Sequence, residues 1–221
     1  MYHSQWRLCL RTAILACTTA LMWHAGCSDG SRADERAAIA WANQGFVAID
    51  DWEAGDGTAM RDANSWNRWV ARGRAIPNCE TLLRHLLEAK DPRAEPILIV
   101  HGLAVVGSAD SVPVLVAKTA EPWDVMRGAA VNALGAIGNR SSFPAVAGCL
   151  LFDDSANVRT YASLALVAMK DPRGIDVLQY ALDSIASRYA AGLWGPGEDA
   201  SRERRVLEKA LGELRQKLSD R

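Results

Sequence analysis

Residues Trp123 to Gly138 read WDVMRGAAVNALGAIG, and this stretch decides the fold. It has the spacing of a short helix, with small residues down one side and Leu134 and Ile137 on the other. Gly138 then stands where a glycine supplies the left-handed turn that ends a helix. The pattern recurs on both sides. EPILIVHGLAVVGSADSVPVLVAKT starts at Glu95, and VRTYASLALVAMKDPRGIDVLQYAL starts at Val158.

In register, Leu103, Leu134 and Leu166 align at spacings of 31 and 32 residues, followed by Val106, Ile137 and Met169. Gly107, Gly138 and Lys170 close the first helix of each copy. The polar turns SAD, NRSS and DPRG come next, and Gly107 is expected to turn left-handed like Gly138. A second apolar set then opens with Val112 and Leu115, Phe143 and Val146, Ile175 and Leu178. Pro113 and Pro144 sit in the first turn of that helix, where a missing N–H costs little. A single hairpin of this kind cannot bury its own apolar face, so the copies must stack. Ala129, Ala130, Ala133, Ala162 and Ala165 let neighbouring helices approach closely. A weaker copy lies upstream, with Trp66, Val70 and Arg72 aligned to Ile99, Leu103 and Val105, and with NCETLLRHLLEAK, residues 78–90, as its second helix.

Met126, Arg127, Ala130, Ala133, Leu134, Ile137 and Gly138, and again Val158, Arg159, Ala162, Ala165 and Leu166, fit the line D-P-x-V-R-x-x-A-x-x-A-L-x-x-I-G. Asp91-Pro92 and Glu121-Pro122 stand at its Asp-Pro turn. In this the chain resembles HEAT repeats, and more closely the compact bacterial type that also occurs in phycobilin lyases. The period is shorter than the about 40–47 residues of general HEAT and armadillo repeats. The resemblance covers residues 60–185 and implies an all-α fold, an α-α superhelix of HEAT-like hairpins with helical caps. It implies binding through the ridge of second helices. On those helices the positions off the core register are Arg84, His85 and Glu88, Val114 and Lys118, Ala145 and Cys149, Val177 and Tyr180. Arg84, Lys118 and Tyr180 are the expected protein-binding residues.

The first 26 residues do not belong to this fold. Arg7 and Arg11 precede a short apolar run ending at Trp23, then His24-Ala25-Gly26-Cys27. Basic region, apolar region and small residues before a cut are the layout of a secretory signal. The run is shorter than the about 20 residues a membrane span needs. Ala-Gly-Cys resembles the bacterial lipobox, although His24 stands where that motif usually has Leu. The resemblance implies lipid on Cys27 as the new N-terminus, and an ordinary cleaved signal peptide is the alternative. Ser28 after Cys27 favours the outer over the inner membrane, with the chain facing the periplasm. Without residues 1–26 the net charge falls from −1 to −3, which gives no electrostatic case for nucleic acid.

The organisation expected is therefore a signal peptide over 1–26, a tether and N-terminal cap helix over 27–58, repeats over 59–185 and a C-terminal cap helix over 186–221. Ser31 and Asp34 read as a capping box and Gly45 as a helix stop. FVAIDDWEAGDG, residues 46–57, reads as an irregular segment or a short strand, and Asp183–Ala191 as a prolongation of the preceding helix. Residues 199–219 read as a helix with Val206, Leu207, Ala210, Leu211, Leu214 and Leu218 on its apolar face.

No catalytic signature is present: no phosphate loop, nucleophile elbow, HExxH or CxxC. His85 and His101 fall on different helices. Asp50, Asp51, Glu53 and Asp56 fail the EF-hand spacing, because Gly55 takes a ligand position, and read as a solvated acidic loop. Trp41, Trp52, Trp66 and Trp69 read as large rings filling the cap, with a stacking platform as the alternative. Cys79 and Cys149 lie on helices two repeats apart, which at about 8–10 Å per helix layer exceeds the about 7 Å that a disulfide spans. They are expected to be free, buried thiols. Neither metal nor cofactor nor small-molecule substrate is expected. The expected role is a non-catalytic scaffold for another envelope protein. The alternatives are an inhibitory or immunity-type lipoprotein that blocks a toxin or hydrolase and, from the lyase resemblance, a bilin-attaching enzyme, against which the export signal argues.

Overall fold

The computed structural model describes residues 29–53, 63–190 and 200–220. Its helices are α1 (Asp29–Glu53), α2 (Ala63–Ala75), α3 (Cys79–Ala89), α4 (Pro96–Val106), α5 (Val112–Lys118), α6 (Asp124–Ile137), α7 (Phe143–Phe152), α8 (Ala156–Met169), α9 (Arg173–Asp183), α10 (Ile185–Ala190) and α11 (Ala200–Ser219). The described residues contain no strand. Two layers form. The first holds α4, α6 and α8 side by side, and the second holds α3, α5, α7 and α9. Each second-layer helix packs on the first-layer helix of the next repeat: α3 on α4, α5 on α6, α7 on α8 and α9 on α11. This is an all-α helical repeat fold.

The register accounts for the core. Leu103, Leu134 and Leu166 are fully buried, as are Leu115, Val146 and Leu178 of the second set. The small residues of α6 set how near α8 comes. A Cβ placed on Gly135 would lie 2.6 Å from both Cα and Cβ of Ala165, and one on Gly128 would lie 2.8 Å from the Tyr161 ring. Ala130, Ala133 and Ala162 are fully buried around the same contact. Any larger side chain along this line would force the helices apart and open the core on both sides.

The turns follow their residues. Pro113 and Pro144 occupy the first turn of α5 and α7. In the turns before them, Asn139 Oδ1 accepts from the Ser141 N–H at 2.9 Å, and Ser108 Oγ accepts from the Asp110 N–H at 3.3 Å. Gly138 adopts the left-handed conformation at φ 68°. Gly107 does not: its φ of −69° and ψ of 152° are extended. Glycine is required there by space instead, since a Cβ would meet the Leu103 carbonyl oxygen at 2.3 Å and Ile137 Cδ1 at 3.0 Å. Lys170 takes the left-handed position in the following copy, and Lys90 takes it at the end of the second-layer helix α3.

The two ends depart from the sequence reading. α1 runs unbroken from Asp29 to Glu53, so Ser31 is not its cap, Gly45 does not stop it, and residues 46–53 are helical. No proline interrupts this stretch, and an internal glycine costs only about 1 kcal/mol against alanine. Residues 54–57 of the same segment lie outside the described residues. α1 runs parallel to α4, with Glu35 paired to Arg93 just ahead of α4 and Trp41 against Gly102 within it. The first-layer place of the upstream copy is thus shared by α1 and α2, which both pack on α4. They are joined by Trp41 and Trp69, whose rings stack at 4.5 Å. Each indole N–H donates to the other residue's carbonyl, at 2.7 and 3.0 Å. Trp41 and Trp69 are therefore cap core, as expected; the side chains of Trp52 and Trp66 are outside the described set. At the other end a turn at Ser184 separates α9 from α10. α11 buries Leu207, Ala210, Leu211 and Leu214, as its pattern requires, against α8 and α9. It fills the place of the next first-layer helix, so it is a structural continuation of the stack.

Two arginines tie successive repeats. Arg127 Nη1 donates to the Glu121 and Pro122 carbonyls at 3.1 and 3.0 Å, while its Nε and Nη2 donate to the Asp153 carboxylate, each at 2.8 Å. One repeat later, Arg159 Nη1 donates to the carbonyls of Asp153 and Asp154 at 2.9 and 3.0 Å, and Arg159 Nη2 reaches Glu203 of α11 at 3.0 Å. Burial would raise the Asp153 carboxyl, but hydrogen bonds from Arg127 and the Ser155 N–H hold it below its ordinary value. Arg159 and Glu203 are only 3% and 6% exposed, so the pair that seats α11 is desolvated.

The sequence Asp-Pro-Arg occurs twice and folds the same way. Asp91 Oδ1 accepts from the Arg93 N–H at 2.8 Å, and Asp171 Oδ1 accepts from the Arg173 N–H at 3.0 Å; each guanidinium also returns to the carboxylate. The hydrogen bond from Arg173 holds the Asp171 carboxyl at about 2, against an ordinary 3.8.

Two outcomes are expected. Arg159→Met leaves Glu203 buried and unpaired and costs about 3–5 kcal/mol, whereas adding Glu203→Leu restores most of it; denaturant titration of both variants decides, and a double variant no more stable than the single one would refute the seating role. The Asp171 shift is downward, so its contribution is full above its unfolded value and lost as pH falls towards 2. Asp171→Asn should flatten the stability–pH curve between about pH 4 and 2, read by thermal melts across that range.

Candidate protein-docking surface

The outer face of the second layer is built by the turns of α3, α5, α7 and α9 that point away from the first layer. The three residues expected to bind a partner stand on it unequally. Arg84 is half-buried: its Nη1 donates to the Asp110 carbonyl at 2.9 Å, and its Nε is buried without a hydrogen-bond partner. Beside it Glu80 accepts from Ser108 N–H at 2.8 Å and from Ser111 Oγ at 2.6 Å, so this end of α3 clamps the turn before α5. These hydrogen bonds hold the Glu80 carboxyl below its ordinary value even though burial opposes the shift. The Lys118 side chain is 15% exposed and paired with Glu121 at 2.7 Å. Tyr180 is 62% exposed and projects from α9. Arg84 and Lys118 lie on neighbouring helices, and Tyr180 stands at the far end of the row.

Among the other off-register positions, His85 and Glu88 are exposed, and Val114, Ala145 and Val177 are half-buried. Cys149 is a correction. It is 8% exposed and belongs to the core, because α7 packs on both α8 and α9 and turns that position inward. The open middle of the ridge is formed instead by Pro113 and Ala117 of α5 and Pro144 and Gly148 of α7. A Cβ on Gly148 would meet nothing within 4 Å. Between His85 and Glu88 at one end and Asp176 and Tyr180 at the other, the surface thus carries small and apolar residues, and this stretch is termed the saddle. Arg84 and Lys118 are charged letters in the sequence that the fold engages through Arg84 Nη1 and Lys118 Nζ, and nothing local in the sequence distinguishes them from free ones.

The remaining candidates lie elsewhere. Asp50, Asp51 and Glu53 are on helix α1, not in a loop, with side chains outside the described set; Asp56 and Cys27 lie outside the described residues. No group of three His, Cys, Asp or Glu able to hold a metal occurs among the described residues. His101 is half-buried on α4, and desolvation holds its imidazole below the usual range. Cys79 and Cys149 are buried free thiols. Burial pushes the Cys79 thiol up to about 11 and raises that of Cys149. Neither is a poised nucleophile, since the reactive form is the thiolate.

A second surface was not anticipated. The edge formed by the N-terminal ends of α6 and α8 exposes Trp123 and Val125, each 49%, and Phe152, 83%, at the end of α7. In the sequence these residues only flank apolar helical runs; their meeting on one edge depends on the stacking.

No curated protein matches this chain. Residues 112–192, which span α5 to α10, match the family model for HEAT repeats. With that match over part of the chain and the layered hairpins around it, the chain has an all-α helical repeat fold that is similar to HEAT repeats over residues 112–192.

Proposed function

We propose that this protein is a non-catalytic docking scaffold of a bacterial envelope, held at its membrane by lipid on Cys27, and that it receives another envelope protein on the second-layer saddle. HEAT repeats suggest a helical scaffold for protein interaction. The observation that carries the choice of surface is the run of small and apolar residues Pro113, Ala117, Pro144 and Gly148 on the same layer as the exposed Tyr180. Glycine inside a helix costs about 0.5–1 kcal/mol relative to alanine. At Gly128 and Gly135 a neighbouring helix lies against the glycine, whereas Gly148, like Gly30 and Gly212, faces open space. At Gly148 nothing within the chain occupies the space. An open surface of small and apolar residues suits contact with an apolar or aromatic side chain, the usual anchor of a protein interface. Tyr180 supplies ring area and a hydroxyl at modest entropic cost.

Gly148→Arg should fill the saddle without disturbing the fold, because the position is open and arginine is the better helix former. It should weaken partner capture at least tenfold, about 1.4 kcal/mol, with an unchanged or raised melting temperature; Tyr180→Ala should act in the same direction. A photo-crosslinking residue at position 180 identifies the partner in cells, and equal capture by both variants would place the interface elsewhere. Cys27→Ala should move the protein from the membrane to the soluble fraction, and its retention in the membrane would refute the lipid anchor.

A further inference from the structure

We infer that the edge carrying Trp123, Val125 and Phe152 rests on the zwitterionic headgroups of the membrane that holds Cys27, so that the stack stands with its first-layer helices end-on to the bilayer. The inference rests on the lipid-anchor reading and adds to it an orientation and a contact surface.

The geometry begins with α1. Its first described residue, Asp29, is two residues after Cys27 in the sequence. α1 cannot swing freely. The Arg93–Glu35 ion pair ties its early turns to the segment just ahead of α4, and Trp41 lies against Gly102 further along. Both contacts advance in the same direction, so the N-terminus of α1 points the same way as that of α4. α6 and α8 lie beside α4 in the same sense, with Gly107 against Ile137, Gly128 against Tyr161 and Gly135 against Ala165. The anchor point therefore leaves the molecule on the edge made by the starts of the first-layer helices. From Glu35 back to Asp29 is six residues, about 9 Å of helix. A lipid at Cys27 thus turns this edge, rather than the opposite one, towards the headgroups.

That edge exposes three of the large apolar side chains open to solvent among the described residues; Tyr161, Leu164 and Tyr180 are exposed elsewhere. Phe152 is 83% exposed and Trp123 49%. Tryptophan is suited to the headgroup level, where its apolar ring and N–H are both accommodated. Among the described residues no helix is long and apolar enough to cross a membrane, so the contact is peripheral. The charges choose the headgroup. Asp153 and Glu121 are paired with Arg127 and Lys118, and Asp154, 90% exposed beside Phe152, is paired with Arg127 as well. A surface without excess positive charge gains nothing from anionic lipid but accepts the ammonium of a zwitterionic headgroup. The saddle on the second layer then faces sideways, along the membrane, where an envelope partner reaches it.

The test uses the full chain, lipidated in bacterial cells and reconstituted into phosphatidylcholine vesicles. Spin labels are placed on Phe152→Cys and, separately, Tyr180→Cys; the unsubstituted chain, with its buried Cys79 and Cys149, is the labelling control. The expected result is that vesicle attachment shields the label at 152 several-fold from aqueous nickel and exposes it to membrane-dissolved oxygen, while the label at 180 stays in water. If the chain floats with vesicles but the two labels remain equally open to nickel, the edge proposal fails and the anchor stands. If the chain does not float, the anchor fails and the edge proposal with it. Shielding at 152 that needs an added envelope protein, or dipolar broadening between labels of two copies, assigns the edge to a protein contact and overturns the proposal.

Discussion

The fold depends on how closely α6 and α8 approach. With Gly135 facing Ala165 and Gly128 facing Tyr161, the two backbones lie nearer than any pair of larger side chains would permit. That distance sets the spacing of the first layer, and the second layer must follow it, because each of its helices wedges against the first-layer helix of the next repeat. Leu134, at the centre, is fully buried from all sides. A repeat stack has only nearest-neighbour interfaces, so one loose interface would divide it into two weaker halves.

Burial does not by itself hold the repeats in line, since apolar contact is non-directional. Direction comes from Arg127 and Arg159. Each guanidinium spans two carbonyls of the preceding turn and a carboxylate farther along, and the second of them uses α11 as its partner through Glu203. A buried ion pair is costly to desolvate and gains little over well-packed apolar residues. Its contribution here is to fix where the terminal helix sits. At the opposite end the same need is met without charge, by the reciprocal indole–carbonyl bonds of Trp41 and Trp69. The two caps thus close the stack by different chemistry.

What remains unspent after this accounting is small. Most charged residues of the second layer are engaged with neighbours, so a partner surface there must rely on shape and apolar contact around Gly148 and Tyr180. The aromatic edge at Trp123 and Phe152 is a different resource, near the start of α1 and separate from the saddle.

Periodicity by itself determined the helical hairpins, the burial of Leu103, Leu134 and Leu166, the prolines of α5 and α7, and the apolar face of α11, because each is a local consequence of spacing along a helix. The left-handed Gly138 was equally legible, while Gly107 was right in identity and wrong in reason: its glycine answers to Leu103 and Ile137, not to a turn angle. Only the tertiary structure decided the rest. Gly45 leaves α1 unbroken, α1 and α2 share one place in the first layer, and α11 takes the next repeat's. Tertiary structure also decided the site. Arg84 and Lys118 read as free cations until Asp110 and Glu121 are seen to hold them, whereas Tyr180 stays open. The physical reason is the same throughout: a side chain's spacing is written in its own helix, but its partners come from elements dozens of residues away, and only packing says which of its donors and faces are left over.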